Sequence, residues 1–211
     1  MSEILLSILI PITPDRLSTV RPLLTKLGYM LGMMQYVNDE WVLEWENKEL
    51  GIELIMICDN KTMTIGEKRE ELYKKSNGIF SVQIDSDDNI ADDAISKILE
   101  AIKSNPEIPC ITFKENCMIN GQYYSSNHSI KYDKWQDNFD GYDYVRSPFY
   151  KNVIRTDLAK QVPFEHIRWN EDERWSYAIK PLLTDEIHLD EEIYYYIHNS
   201  TDPTERYGLD K

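Results

Sequence analysis

The chain has 211 residues, with 37 acidic against 23 basic side chains and a formal charge of −14. That length buries one sizeable core, so a single domain is expected. A surface this acidic repels phosphodiester backbones and anionic headgroups, which argues against nucleic-acid binding and membrane attraction. The densest basic stretch does not change this, because Lys68, Arg69, Lys74 and Lys75 are interleaved with Glu67, Glu70 and Glu71.

From the N-terminus, Ile4 to Ile12 is a short apolar run closed by Pro11 and Pro14, the pattern of a buried parallel strand. Leu17 to about Met34 carries apolar residues at helical spacing, with Pro22 expected in the first turn. Gln35 to Leu50, with Trp41 and Trp45, fits either an extra helix or a contact surface. Glu53 to Cys58 is a second buried strand ending in Asp59-Asn60. Thr64 and Glu67 form a capping box opening a helix to Lys75, which Gly78 ends. Phe80 to Ile84 is a third strand, Asp92 to Lys103 a helix and Cys110 to Phe113 a fourth strand. Alternation of this kind predicts an α/β fold with right-handed crossovers and ligands beyond the carboxyl ends of its strands.

The second half has a different texture. Asn120-Gly121 predicts a hairpin turn. Residues 123–150 mix Tyr, Trp, Asp and Asn without helical period, which fits a long loop or a curved sheet, and such mixtures suit stacking on sugars. Short helices are expected over Asp157 to Val162 and Glu171 to Leu183, and closing strands over Ile187 to Leu189 and Ile193 to Ile197, followed by a polar tail at 201–211. Cys58, Cys110 and Cys117 are odd in number and lack a CxxC pair, so reduced thiols are expected. Met1-Ser2-Glu3 and the apolar run after it lack a basic n-region and a cleavage site. No apolar stretch approaches the ~20 residues that span a bilayer. A soluble, cytoplasmic protein without direct membrane insertion is expected, its oligomeric state open.

Chemistry concentrates in Ile84-Asp85-Ser86-Asp87-Asp88-Asn89. Crowded carboxylates at a strand end repel one another unless a cation sits among them, and hard divalent ions favour such oxygen ligands. The same run also fits a solvated loop or the acidic start of a helix. An EF-hand is excluded, since its sixth and twelfth positions are Ile90 and Ser96 instead of Gly and Glu. A D-x-D-x-T/V phosphatase motif is disfavoured by Asn89.

Four stretches together resemble the family 2 glycosyltransferases of the GT-A fold. They are Ser7 to Thr13; Thr64 to Arg69 with Asn77-Gly78 and Ile84 to Asp88; Phe149 to Arg155; and Trp169-Asn170-Glu171-Asp172 with Asp190-Glu191 and Tyr194 to His198. The resemblance covers most of residues 4–198. It implies a GT-A type, Rossmann-like, mostly parallel mixed sheet flanked by helices in one domain, with a nucleotide-binding half (1–105) and an acceptor and catalytic half (106–200). As a departure from the family, the chain ends soon after the closing strand, so no large acceptor or membrane-docking domain is expected.

The resemblance also implies roles. Pro11, Ile12, Thr13, Asp59, Arg69, Asp85 and Ser86 would bind the donor nucleotide, Asp59 at the pyrimidine N3–H and Asp85 at the ribose. Asp87 would hold Mn²⁺ or Mg²⁺ on the diphosphate, with Asp88 a second ligand or a helix cap, and His198 completing the metal or diphosphate shell. Asp172 would be the general base of an inverting transfer, with Trp169 and Glu171 meeting the acceptor. Bland readings stand beside these: a turn acid for Asp59, a helix face for Arg69, dipole-complementing acids at 171–172 and core packing for Trp175. The expected activity is transfer from a nucleoside diphosphate sugar, UDP-linked, to a glycan hydroxyl. The alternatives are a non-catalytic sugar-nucleotide or glycan-binding module and a Mg²⁺-dependent nucleotidyltransferase. The latter is disfavoured because Pro11 to Arg16 offers no Gly-rich basic loop.

Overall fold

The computed structural model describes residues 3–31 and 42–199. Strands β1 (Leu6–Ile12), β3 (Ile52–Cys58) and β4 (Phe80–Gln83) form the parallel centre of the sheet, β1 lying between the other two. All their apolar residues are buried or nearly so, because helices cover both faces. Alternation along β1 assigns the sides. Leu6, Ile8, Ile10 and Ile12 face helices α1 (Leu17–Leu31) and α3 (Ala94–Ser104), whereas Leu9 faces α2 (Ile65–Lys75) and α5 (Glu171–Ile179). The result is an α/β sheet between two helical layers.

Expected elements recur with shifted bounds. The capping box on α2 is present in both directions: Thr64 Oγ1 accepts from the Glu67 N–H, and the Glu67 carboxylate accepts from the Thr64 N–H. Asn120 and Gly121, at φ 51° and 77°, make the tight turn between β6 (Cys110–Ile119) and β7 (Gln122–His128). Pro22 is not in a first turn. It lies within α1, because a 3₁₀ turn at Pro14–Arg16 runs directly into that helix. Within residues 35–50, Val42–Asn47 is strand β2, antiparallel to β3 rather than helical, while residues 35–41 lie outside those described. The 201–211 tail also lies outside them.

Residues 123–150 are largely sheet. Strand β7 pairs with β9 (Tyr142–Arg146), which pairs with β8 (Gln136–Phe139). The two closing strands merge into one, β11 (Glu186–His198), parallel to β6 along its length, with irregular register between Leu189 and Tyr194. A bulge absorbs the acids at 190–191 that split the sequence pattern. Strand β5 (Asn89–Ile90) pairs with the end of β11, and α4 (Thr156–Ala159) is a single turn. Between β4 and β6 sits β10 (Val153–Arg155), antiparallel to both. The sheet is therefore mixed, with β1, β3, β4, β6 and β11 running one way. Cys58, Cys110 and Cys117 are free thiols.

Two glycines are fixed by close approach. A Cβ on Gly78 would stand 2.6 Å from Ser7 Oγ, which accepts the Gly78 N–H. That hydroxyl in turn donates to Glu53 at 2.5 Å. A Cβ on Gly66 would run into the Glu165 carbonyl, so α2 and the loop before α5 touch backbone to backbone. Among the described residues no helix is long and apolar enough to cross a membrane.

Candidate active site

The carboxyl ends of β1, β3 and β4 lie along one sheet edge, and the acidic run leaves β4 there. Asp85 is the inner acid. Its Oδ1 is 2.9 Å from Arg69 Nη1, and its Oδ2 accepts from the Tyr150 hydroxyl at 2.7 Å. Burial raises its pKa, but the charges of Arg69 and Lys151, with the bonds from Arg69 and Tyr150, together hold the carboxyl below its ordinary value.

Asp88 is also internal. It accepts from the Tyr194 hydroxyl (2.8 Å) and the Ile197 N–H (3.0 Å), and its Oδ2 lies 3.1 Å from Lys151 Nζ. Tyr194 Oη accepts the Asp85 N–H at 3.0 Å, so one tyrosine joins the two acids. Burial, with Asp85 adding to it against the pull of Lys151, pushes Asp88 up to about 7. Ser86, between them, is buried. Asp87 faces outward. Its side chain is 40% exposed and its Oδ2 is 2.8 Å from Arg16 Nη1, reaching over from the turn after β1.

Two buried cations wire this rim from below. Arg69 on α2 is gripped by Asp85, by Glu171 Oε1 (3.2 Å from Nε) and by Gln83 Oε1 (3.3 Å), and its guanidinium lies 3.4 Å from the Tyr150 ring centre. The resemblance placed it at the nucleotide; the structure spends it on joining β4 to α5. Glu171, placed at the acceptor, is likewise a buried partner of Arg69, and burial raises its pKa. Lys151 bridges Asp88 and Glu115 Oε1 (3.0 Å) beneath the faces of Tyr194 and Tyr196. Lys151, Glu115 and Tyr150 were not singled out from sequence. Charged residues read as surface, and only the strand-edge packing reveals them; the segment Phe149 to Arg155 was the available signal.

Asp59 is buried at the end of β3. It pairs with Lys68 Nζ and accepts from the Met63 N–H (2.9 Å) and the Thr62 hydroxyl (3.3 Å). Burial works against ionisation, yet the Lys68 contact keeps its pKa low. Lys68 also donates to the Ile12 carbonyl at 2.7 Å, fixing Pro11-Ile12-Thr13 to α2. Thr13 is half-buried at the mouth of this edge.

Asp172 occupies the first turn of α5 after Asn170, which takes the left-handed conformation (φ 60°) that asparagine tolerates. Its Oδ1 accepts from the Glu173 N–H at 2.8 Å, and burial raises its pKa against the pull of that bond, Arg69 and Lys151. Its neighbour Glu171 shares Arg69 with Asp85, which ties the start of α5 to the end of β4. Trp169 is 76% exposed beside it. Trp175 belongs to the core, stacked between Phe164 (4.9 Å) and Tyr73 (5.6 Å), rather than to a sugar platform.

For a divalent cation the donors divide. Asp87 is open and suits a site completed by substrate phosphates, as is usual for Mg²⁺. Asp88 does not fit as a ligand, because it is buried beneath the rim, where Lys151 already neutralises it and Tyr194 and the Ile197 N–H hold its oxygens, whereas Asp85 keeps a partly exposed side chain. The His198 ring stacks on Tyr196, and its neighbour Ile197 makes the backbone contact to Asp88. Among the described residues no three His, Cys, Asp or Glu side chains converge as a metal cage.

The mixed, mostly parallel sheet flanked by helices is that of a GT-A type fold, as the structural neighbours show. By sequence, the chain matches no family model and no curated protein. By structure it is similar to TarS of S. aureus, a GT-A-like glycosyltransferase. The TarS 1–349 complex with UDP aligns with a TM-score of 0.62 at 16% identity, over 92% of this chain and 60% of TarS 1–349. The UDP-GlcNAc complex gives 0.58 at 15% identity, over 96% and 61%. The chain thus spans about 60% of the length of that neighbour, and at this identity the likeness establishes the fold.

Proposed function

We propose that the protein is an inverting glycosyltransferase, moving a sugar from a nucleoside diphosphate donor, UDP-linked, to a glycan hydroxyl in the cytoplasm. The observation that carries this reading is Arg69, which pairs with Asp85 at the carboxyl end of β4 and with Glu171, the neighbour of Asp172, at the start of α5. The two TarS structures, one with UDP and one with UDP-GlcNAc, support the choice of donor class.

Asp172 takes the proton of the attacking hydroxyl as that oxygen meets the anomeric carbon from the face opposite the diphosphate. A carboxylate whose pKa is raised by burial is a stronger base than a solvated one. Asp85, ionised and aimed by Arg69 and Tyr150, receives ribose hydroxyls. Asp59 reads the base edge, and Trp169 offers a stacking face to the acceptor sugar. Asp87 would hold the Mn²⁺ or Mg²⁺. When bound, that ion supplies Lewis-acid neutralisation of charge on the departing diphosphate.

The test is a screen of UDP-, GDP- and dTDP-sugars for transfer and hydrolysis, with Mn²⁺ and with chelator. Donor turnover that Asp172→Asn lowers, with UDP binding retained, supports transfer. UDP-sugar binding with no turnover in any condition would favour the silent binding module instead. Release of pyrophosphate from a nucleoside triphosphate would favour the nucleotidyltransferase.

A further inference from the structure

Of the acids in the run, Asp85 and Asp88 have buried cation and hydroxyl partners, whereas Asp87 is held by a surface arginine alone among the contacts described. That arginine, Arg16, lies in the 3₁₀ turn that follows β1, and its bond to Asp87 crosses from the end of β1 to the end of β4. In a fold whose ligands sit at these strand ends, the pair straddles the entrance. Both partners are open to water, with side chains 50% and 40% exposed, so the bond is easily exchanged.

We propose that Arg16 is a ligand of the donor diphosphate, kept in place by Asp87 until the donor arrives. This rests on the nucleotide-sugar reading above. The exchange is balanced in charge. The diphosphate takes the guanidinium, whose planar fork matches phosphate oxygens, and the released Asp87 carboxylate becomes available to a divalent cation. On a protein of charge −14 a dianionic ligand needs a local cation at the mouth, and Arg16 already reaches across it to the acidic run.

The experiment is calorimetric titration of the full chain with uridine and with UDP, in chelator and in Mn²⁺, for the wild type, Arg16→Ala, Arg16→Lys and Asp87→Asn. Arg16→Ala is expected to weaken UDP about tenfold to a hundredfold, as loss of charge-assisted bonds to phosphate does, and to leave uridine unchanged. Arg16→Lys should fall between. In chelator Asp87→Asn should bind UDP at least as tightly as wild type, because the competitor for Arg16 is gone, and in Mn²⁺ it should lose the metal's enhancement. Equal UDP affinity in wild type, Arg16→Ala and Arg16→Lys would overturn the exchange while leaving the donor reading intact. A wild type that binds no UDP in either condition would overturn both. Thermal unfolding of each variant checks that the fold is kept, and Arg16→Lys serves if the alanine variant is unstable.

Discussion

The two tiers of charge at the strand ends are built differently. Below, Arg69 and Lys151 are almost fully buried, and each binds carboxylates from two separate elements. Above, Arg16–Asp87 and Lys61–Asp15 are single contacts in water. Buried pairs cannot be unmade cheaply, whereas exposed ones are worth little and exchange readily. The lower tier therefore sets geometry, and the upper tier is free to meet ligands. The difference also answers how several acids tolerate one another: the protein supplies two of the needed cations itself.

The sharpest way to break this comparison is Lys151→Met. It strands Glu115 and Asp88 in the interior and should destabilise the fold by about 3–5 kcal/mol in urea unfolding. The pH dependence of that loss is a further check. Lys151 and His128 hold Glu115 well below its ordinary pKa despite burial. Its stabilising contribution is thus complete above the unfolded value of ~4.3 and is lost as pH falls towards the folded one. The acid-side loss should shrink in the variant.

Asp172→Asn should lower transfer by about 10²–10⁴-fold with stability and UDP binding retained. Because the raised pKa belongs to a group that must be ionised to act, wild-type turnover should fall on the acid side at a pH above the usual ~4 of an aspartate, and that limb should disappear in the variant. Gly66→Ala pushes the Glu165 backbone off α2 and should cost about 1–3 kcal/mol together with part of the turnover, since the same loop leads into Asp172. Thr64→Ala removes one half of the capping box and should cost about 1 kcal/mol with turnover unchanged. The smallest change is expected at the upper tier, where Arg16→Ala should leave stability within about 1 kcal/mol of wild type.

Local signals were legible in the sequence. The apolar runs gave β1, β3 and β4, Thr64 and Glu67 marked the start of α2, and Asn120-Gly121 marked a hairpin. The resemblance singled out Asp85 and Asp172 separately, and Arg69 links their neighbourhoods by pairing with Asp85 and with Glu171, the residue before Asp172. What stayed hidden was non-local. Strand β10 is three residues long, and nothing in Val153-Ile154-Arg155 says that it slips between β4 and β6. The acids at 190–191 interrupt the pattern of β11 because a bulge carries them out of register. Asp88 read as a ligand because its partners, Tyr194, Ile197 and Lys151, arrive from distant parts of the chain.

The placement of β10 has a consequence for how such a protein can be divided or recombined. The short strand delivers Tyr150 and Lys151 from the second half into the floor beneath acids contributed by the first. A fragment stopping at residue 105 would carry the acidic run without its lysine counterion, and a transplanted second half would bring that lysine with no Asp88 to receive it. The halves are interlocked rather than modular, so a working chimera has to exchange the run at 84–88 and the segment at 149–155 as one unit.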